Sequence, residues 1–135
     1  MSKNKRSTES ELPPIYMNGD EMRRLRTLAD SGMDVFPRVA HFLARELERA
    51  SVLQEDGELR RVVRMGSEVS YRDDRTGEVR DVVLVYPHEA DISRRRISVL
   101  TPVGAALIGL SVGQEIEYRT PGHLTRKLTV LAVSP

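Results

Sequence analysis

From Asn18 onward the apolar residues Met22, Leu25, Leu28 and Ala29 recur three or four positions apart, which places them on one face of a helix. Asn18 or Asp20 can cap this segment, and Gly32 breaks it. A second periodic set follows at Phe36, Val39, Ala40, Leu43, Leu47 and Ala50. Pro37 fits its first turn, where the missing N–H would have had no partner anyway. The pattern predicts two short amphipathic helices joined by a glycine-containing turn, that is, an antiparallel hairpin. Neither helix is long enough to be stable alone, so they must pack on each other.

After a linker-like stretch at 51–60 the period changes. Ser67 to Arg72 and Val79 to Tyr86 have strand composition, and Asp73-Asp74-Arg75-Thr76-Gly77 between them supplies hairpin turn chemistry. Ile97 to Leu100 predicts a short strand. Pro102 opens a single helix over Val103 to Ile108, and Gly109 closes it. Glu115 to Arg119 and Leu124 to Val133 predict two last strands around a Pro121-Gly122 turn. No repeat and no strand–helix–strand alternation occurs, so the expected class is α+β with an antiparallel sheet. The expected organisation is a disordered tail at 1–14, a short coiled-coil-like hairpin at 15–52 and a sheet domain at 58–135.

Composition narrows this picture. The 135-residue chain has 39% hydrophobic and 30% charged residues, and with no tryptophan and only two phenylalanines its core must be built from Val, Leu, Ile and Ala. A net charge of +1, from 21 basic and 20 acidic side chains, argues against a nonspecific grip on nucleic acid. Independent sequence-specific nucleic-acid binding is not expected either. The absence of cysteine excludes disulfides and thiolate metal sites. The uncharged run from Ile97 to Gln114 contains Pro102 and three glycines, so it reads as buried core, not as a membrane span. A cytoplasmic monomer is expected.

Candidate chemistry is sparse. His41, His88 and His123 fall on different elements, and His88-Glu89-Ala90-Asp91 lacks the spacing of a zinc helix, so no metal and no cofactor are expected. Gly104 and Gly109 flank four residues as in a phosphate loop, but Leu110-Ser111 replaces the lysine and hydroxyl that would touch phosphate. Asp73 and Asp74 sit in a turn, where aspartate is common for backbone reasons. Arg94-Arg95-Arg96 is the densest charge cluster, suited to an acidic surface or to solvent. No catalytic set can be assembled, and an enzyme is not expected.

The run Ile97-Ser98-Val99-Leu100-Thr101-Pro102-Val103-Gly104-Ala105-Ala106-Leu107-Ile108-Gly109 resembles the signature of the Gre transcription factors. There a strand of the form I-S leads into S-P, G-x-A-L-x-G and a V-G-D turn. Here Thr101 replaces the second serine, and Val112-Gly113-Gln114 replaces V-G-D. Gly66-Ser67-Glu68-Val69 and Glu89-Ala90-Asp91 match two further elements of that family, in order. Leu84-Val85-Tyr86-Pro87 and the short hairpin are similar to its Rnk branch, regulators of nucleoside diphosphate kinase. The resemblance implies an FKBP-like C-terminal domain whose antiparallel sheet wraps one helix.

It also implies a transcription regulator that binds bacterial RNA polymerase near the secondary channel and competes with Gre factors there. DNA binding enters only as a family association. Carried over by motif, the docking residues are Asp91, Ser98, Thr101 and Pro102, and the hairpin tip comprises Asp30, Met33, Asp34 and Phe36. Gre factors stimulate transcript cleavage through acidic residues on a long hairpin; here the hairpin is short and that acidic motif is missing, so no cleavage is expected. Two other readings are direct contact with nucleoside diphosphate kinase and an FKBP-like prolyl isomerase, the latter poorly supplied with aromatic residues for a proline pocket.

Overall fold

The computed structural model describes residues 12–54, 59–120, 122 and 124–135. Helix α1 (Gly19–Gly32) is capped by Asn18, whose side-chain oxygen accepts from the amides of Asp20 and Glu21 at 2.7 and 3.4 Å. This satisfies two of the orphan amides of the first turn. It buries Met22, Leu25, Ala29 and Gly32. Helix α2 (Pro37–Arg49) starts on Pro37 and buries Ala40, Leu43, Glu46 and Leu47. Glu46 is the one charge on that face, and Arg49 covers it while also donating to the carbonyl of Pro13.

The two ends of this hairpin meet in a pairing that the periodicity did not predict. Strand β1 (Tyr16–Met17) runs parallel to β2 (Ser51–Val52), with Tyr16 opposite Ser51. The amide of Tyr16 also donates to the carbonyl of Gly109 at 3.0 Å. The tail expected over 1–14 lies outside the described residues as far as residue 11. Its last three residues are placed: Leu12 packs on the core and the Pro13 carbonyl is the acceptor for Arg49. Of the linker at 51–60, residues 55–58 lie outside the description.

The sheet has the order β5-β4-β3-β7-β6, from β3 (Glu68–Asp73), β4 (Val79–Val85), β5 (Arg96–Ser98), β6 (Glu115–Arg119) and β7 (Thr125–Ser134). The expectation of a wholly antiparallel sheet is corrected here, because β4 and β5 pair in parallel, with Leu84 opposite Ile97. The two 3₁₀ turns between them, Pro87–Glu89 and Ile92–Arg94, carry the chain back along β4 so that β5 enters in the same direction. The Pro121 and His123 positions of the last hairpin lie outside the described residues. Helix α3 (Pro102–Leu107) buries Gly104, Ala105, Ala106 and Leu107, and its small side chains permit close approach to the sheet.

One core spans both parts: Leu25, Leu43 and Leu47 from the hairpin join Val69, Leu84, Leu107, Ile116 and Val130 from the sheet unit. The helices therefore pack on the sheet unit as well as on each other. No helix among the described residues is long and apolar enough to cross a membrane.

Candidate functional site

The corner between β5 and α3 is held by a short chain of hydrogen bonds. Ser98 Oγ accepts from the Leu100 amide at 2.9 Å. Thr101 Oγ1 donates to the Ser98 carbonyl at 2.7 Å and accepts from the Gly104 amide at 3.1 Å, which caps α3. Ser98 is buried at 9% exposure. Both hydroxyls are thus engaged inside the fold, where they fix the corner's shape. Pro102 and Val103, half-buried, present the corner's apolar surface.

Asp91 stands on the other side of β5. Its backbone exchanges two hydrogen bonds with Arg96, both at 2.9 Å, closing a tight loop. Its side chain accepts from the amide and hydroxyl of Ser93 at 3.0 and 2.6 Å. The Ser93 hydroxyl, then its amide and the nearby Arg96 charge, hold the Asp91 carboxyl below the usual carboxylate range. Arg94 Nε lies 3.8 Å away. The loop's apex is Ile92, 90% exposed, which sequence reasoning missed. Its signal was isolation: Ile92 is the only apolar residue between Ala90 and Ile97, with no periodic partner.

At the hairpin tip, the amides of Val35 and Phe36 both donate to the Gly32 carbonyl, at 3.2 and 2.8 Å. Val35 and Phe36 are exposed, at 68% and 50%, while Met33 is half-buried. Val35 is the apolar tip residue that sequence reasoning passed over. Asp30 lies in the last turn of α1 with its carbonyl accepting from Met33, and Asp34 lies in the hairpin turn; both are exposed. The turn does not stand away from the sheet unit. A Cβ built on Gly32 would be 3.3 Å from Leu100 Cδ1, so tip and corner share one end of the molecule.

The helices are keyed to the sheet unit by a part-buried polar contact. Glu21 on α1 accepts from Arg64 Nε at 3.0 Å. Burial pushes the Glu21 carboxyl above its ordinary range, and the Arg64 guanidinium only partly offsets it. Tyr86, whose ring stacks on His88 at a centroid distance of 6.4 Å, is likewise raised by burial, with Arg24 beside its hydroxyl. Sequence alone does not join residues 43 positions apart. Among the described residues no three His, Asp or Glu side chains gather to hold a metal ion. Glu89, from the superficially metal-like run, accepts from the Tyr86 amide at 3.3 Å.

Residues 58–135 match the family model for the transcription elongation factor GreA/GreB C-terminus, and residues 13–53 match that for the Rnk N-terminus. The chain is 37% identical over 119 residues to the regulator of nucleoside diphosphate kinase of Escherichia coli, covering 88% of each protein. It is 46% identical over 68 residues to transcription elongation factor GreA of Syntrophobacter fumaroxidans, covering 50% of this chain and 43% of that one. Among solved structures it resembles the prokaryotic transcription elongation factor GreA/GreB from Nitrosomonas europaea. The TM-score is 0.70 at 35% identity, covering 91% of this chain and 99% of the other.

Proposed function

The chain belongs to the family of Rnk and the Gre factors, with an Rnk-type N-terminus and a GreA/GreB-type C-terminal unit, and from that membership we propose a transcription regulator that binds bacterial RNA polymerase. It docks near the secondary channel as a monomer, competes there with Gre factors and stimulates no transcript cleavage. Its sheet unit is FKBP-like in architecture, with the helix serving as core.

The supporting observation is the common end formed by the hairpin turn and the β5–α3 corner. Gly32 packs against the Leu100 side chain, and Val35 and Phe36 of the same turn are exposed. Apolar side chains left exposed beside a rigid polar corner suit a protein surface better than a substrate. Asp91 and Pro102 act as contacts, and Ser98 and Thr101 act by holding the corner. The test is binding to purified polymerase core enzyme. Asp91→Arg and Pro102→Ala should weaken it by more than their effect on stability, since charge reversal inside an interface costs several kcal/mol. Full affinity in both variants would sink the assignment.

The name of the Escherichia coli relative favours a second reading, direct contact with nucleoside diphosphate kinase. A pull-down with the full chain, scored for polymerase subunits against the kinase, separates the two. Recovery of the kinase without polymerase would replace the first reading by the second.

A further inference from the structure

Arg95 occupies the left-handed region, at φ 59° and ψ 28°, the one described residue other than glycine with a positive φ. Glycine or asparagine would adopt this conformation with less strain, so an arginine held here points to a use for its side chain. Its backbone is fully engaged, the amide donating to Ile92 at 3.0 Å and the carbonyl accepting from Val83 at 2.8 Å. Arg95 makes no ion pair among the described residues, whereas Arg94 lies near Asp91.

Beside it, the outer face of the sheet carries an open cleft of about 450 Å³. Arg94, Arg95, Glu68 and Asp81 line it, together with the small residues Ser70 and Ala132. Ser70 lies opposite both Asp81 and Ala132, and the register of β3 with β7 shifts between Ser70 and Tyr71. The shift leaves Leu131 unpaired, and such a bulge bends the sheet locally. Ile92 belongs to the same 3₁₀ turn as Arg94 and is almost wholly in water.

We propose that Ile92, Arg95 and this cleft form a docking surface for a polypeptide of mixed charge on the polymerase. The partner seats Ile92 in an apolar socket, turns a carboxylate to Arg95 and turns a basic side chain to Glu68 and Asp81. A nucleic-acid backbone fits poorly, because the two carboxylates would repel its phosphates and Ile92 would have nothing to bury against. The inference rests on the polymerase reading and extends its contact surface from the β5–α3 corner onto the outer face of the sheet.

The experiment measures binding of the full chain to polymerase core enzyme, with Ile92→Ser and Arg95→Gly chosen because neither disturbs the fold. Ile92 is exposed, and glycine relieves the left-handed backbone. Each variant should lose about tenfold or more in affinity, the scale of an interface hot spot, with the melting temperature unchanged or, for Arg95→Gly, raised. Asp81→Lys should also weaken binding. Wild-type affinity in all three, with Asp91→Arg still defective, overturns this surface and leaves the polymerase reading intact. No binding by the wild-type chain overturns both. Binding of an oligonucleotide that is lost on Arg95→Gly, with polymerase binding unaffected, would assign the arginines to nucleic acid instead.

Discussion

A Cβ on Gly104 would stand 2.1 Å from the Ser98 carbonyl oxygen and 2.9 Å from Val99 Cα. Both are backbone atoms of the segment that leads from β5 into α3, so neither can swing aside as a flexible side chain would. Gly104→Ala must therefore push the helix off the sheet, opening a core lined by Ala105, Ala106 and Leu107. The expected cost is about 3 kcal/mol or more, at the severe end for a single methyl group. Urea denaturation measures it; a change under about 1 kcal/mol would mean that the helix has room to shift.

Thr101 should behave as a cap and not as a contact. Removing its hydroxyl in Thr101→Ala leaves the Gly104 amide without its acceptor, at a cost of about 1 kcal/mol in stability. Thr101→Ser should restore most of that. Polymerase affinity is expected to stay within about twofold of wild type in both, since folded molecules remain in large excess. Loss of affinity in Thr101→Ala with unaltered denaturation would make the hydroxyl a direct contact.

Acidification should act on two groups with opposite signs. Burial raises the Asp73 carboxyl, but hydrogen bonds from Arg126 and from the amides of Arg75 and Thr76 outweigh it and leave it below 3.8. Asp74 is lowered in the same way, burial being outweighed by Thr129 and Arg72. A depressed carboxylate stabilises the fold above its unfolded pKa, and that contribution disappears as pH falls from about 4 through the folded value. Glu21 is raised above 4.5, so its contribution is greatest in acid and declines as pH climbs from its unfolded to its folded pKa. Melting temperatures from pH 2 to 7 should show Asp73→Asn flattening the acid limb. Glu21→Gln should remove a decline just above the ordinary glutamate range. If Asp73→Asn left the acid limb unchanged, Asp73 would not be its source.

No stimulation of transcript cleavage is expected, even at saturation. With 14 residues, α1 extends only about 21 Å, and its turn rests on Leu100. Asp30 and Asp34 would need to reach a metal centre from there and hold an ion as a pair. A backtracked elongation complex with magnesium, assayed for short 3′ RNA products, provides the measurement. Stimulation that vanishes on Asp30→Asn or Asp34→Asn would refute the expectation.

Local signals located most elements to within one or two residues. The Asn18 cap and Pro37 marked the helix starts, and the strand expected over Glu115–Arg119 coincides with β6 along its whole length. What escaped were arrangements whose partners lie far apart. The two-residue strand at Tyr16–Met17 is defined only by Ser51–Val52, and the direction of β5 depends on how the turns at 87–94 fold back. The candidate site divided in the same way. Its motif residues were legible as a run, but the run did not reveal that the Ser98 and Thr101 hydroxyls turn inward. Nor did it reveal that Ile92, one apolar residue among charges, stands out from the surface.

The parallel pairing of Tyr16–Met17 with Ser51–Val52 also makes the helical hairpin a cassette. Its entry and exit are fastened side by side, and the fastening is tied to the sheet unit through Gly109. Whole turns added to both helices in step would leave that anchorage undisturbed and carry Val35 and Phe36 past Leu100. Removing turns would draw them back. Reach at the tip is thus a dimension that can be lengthened or shortened separately from the sheet unit.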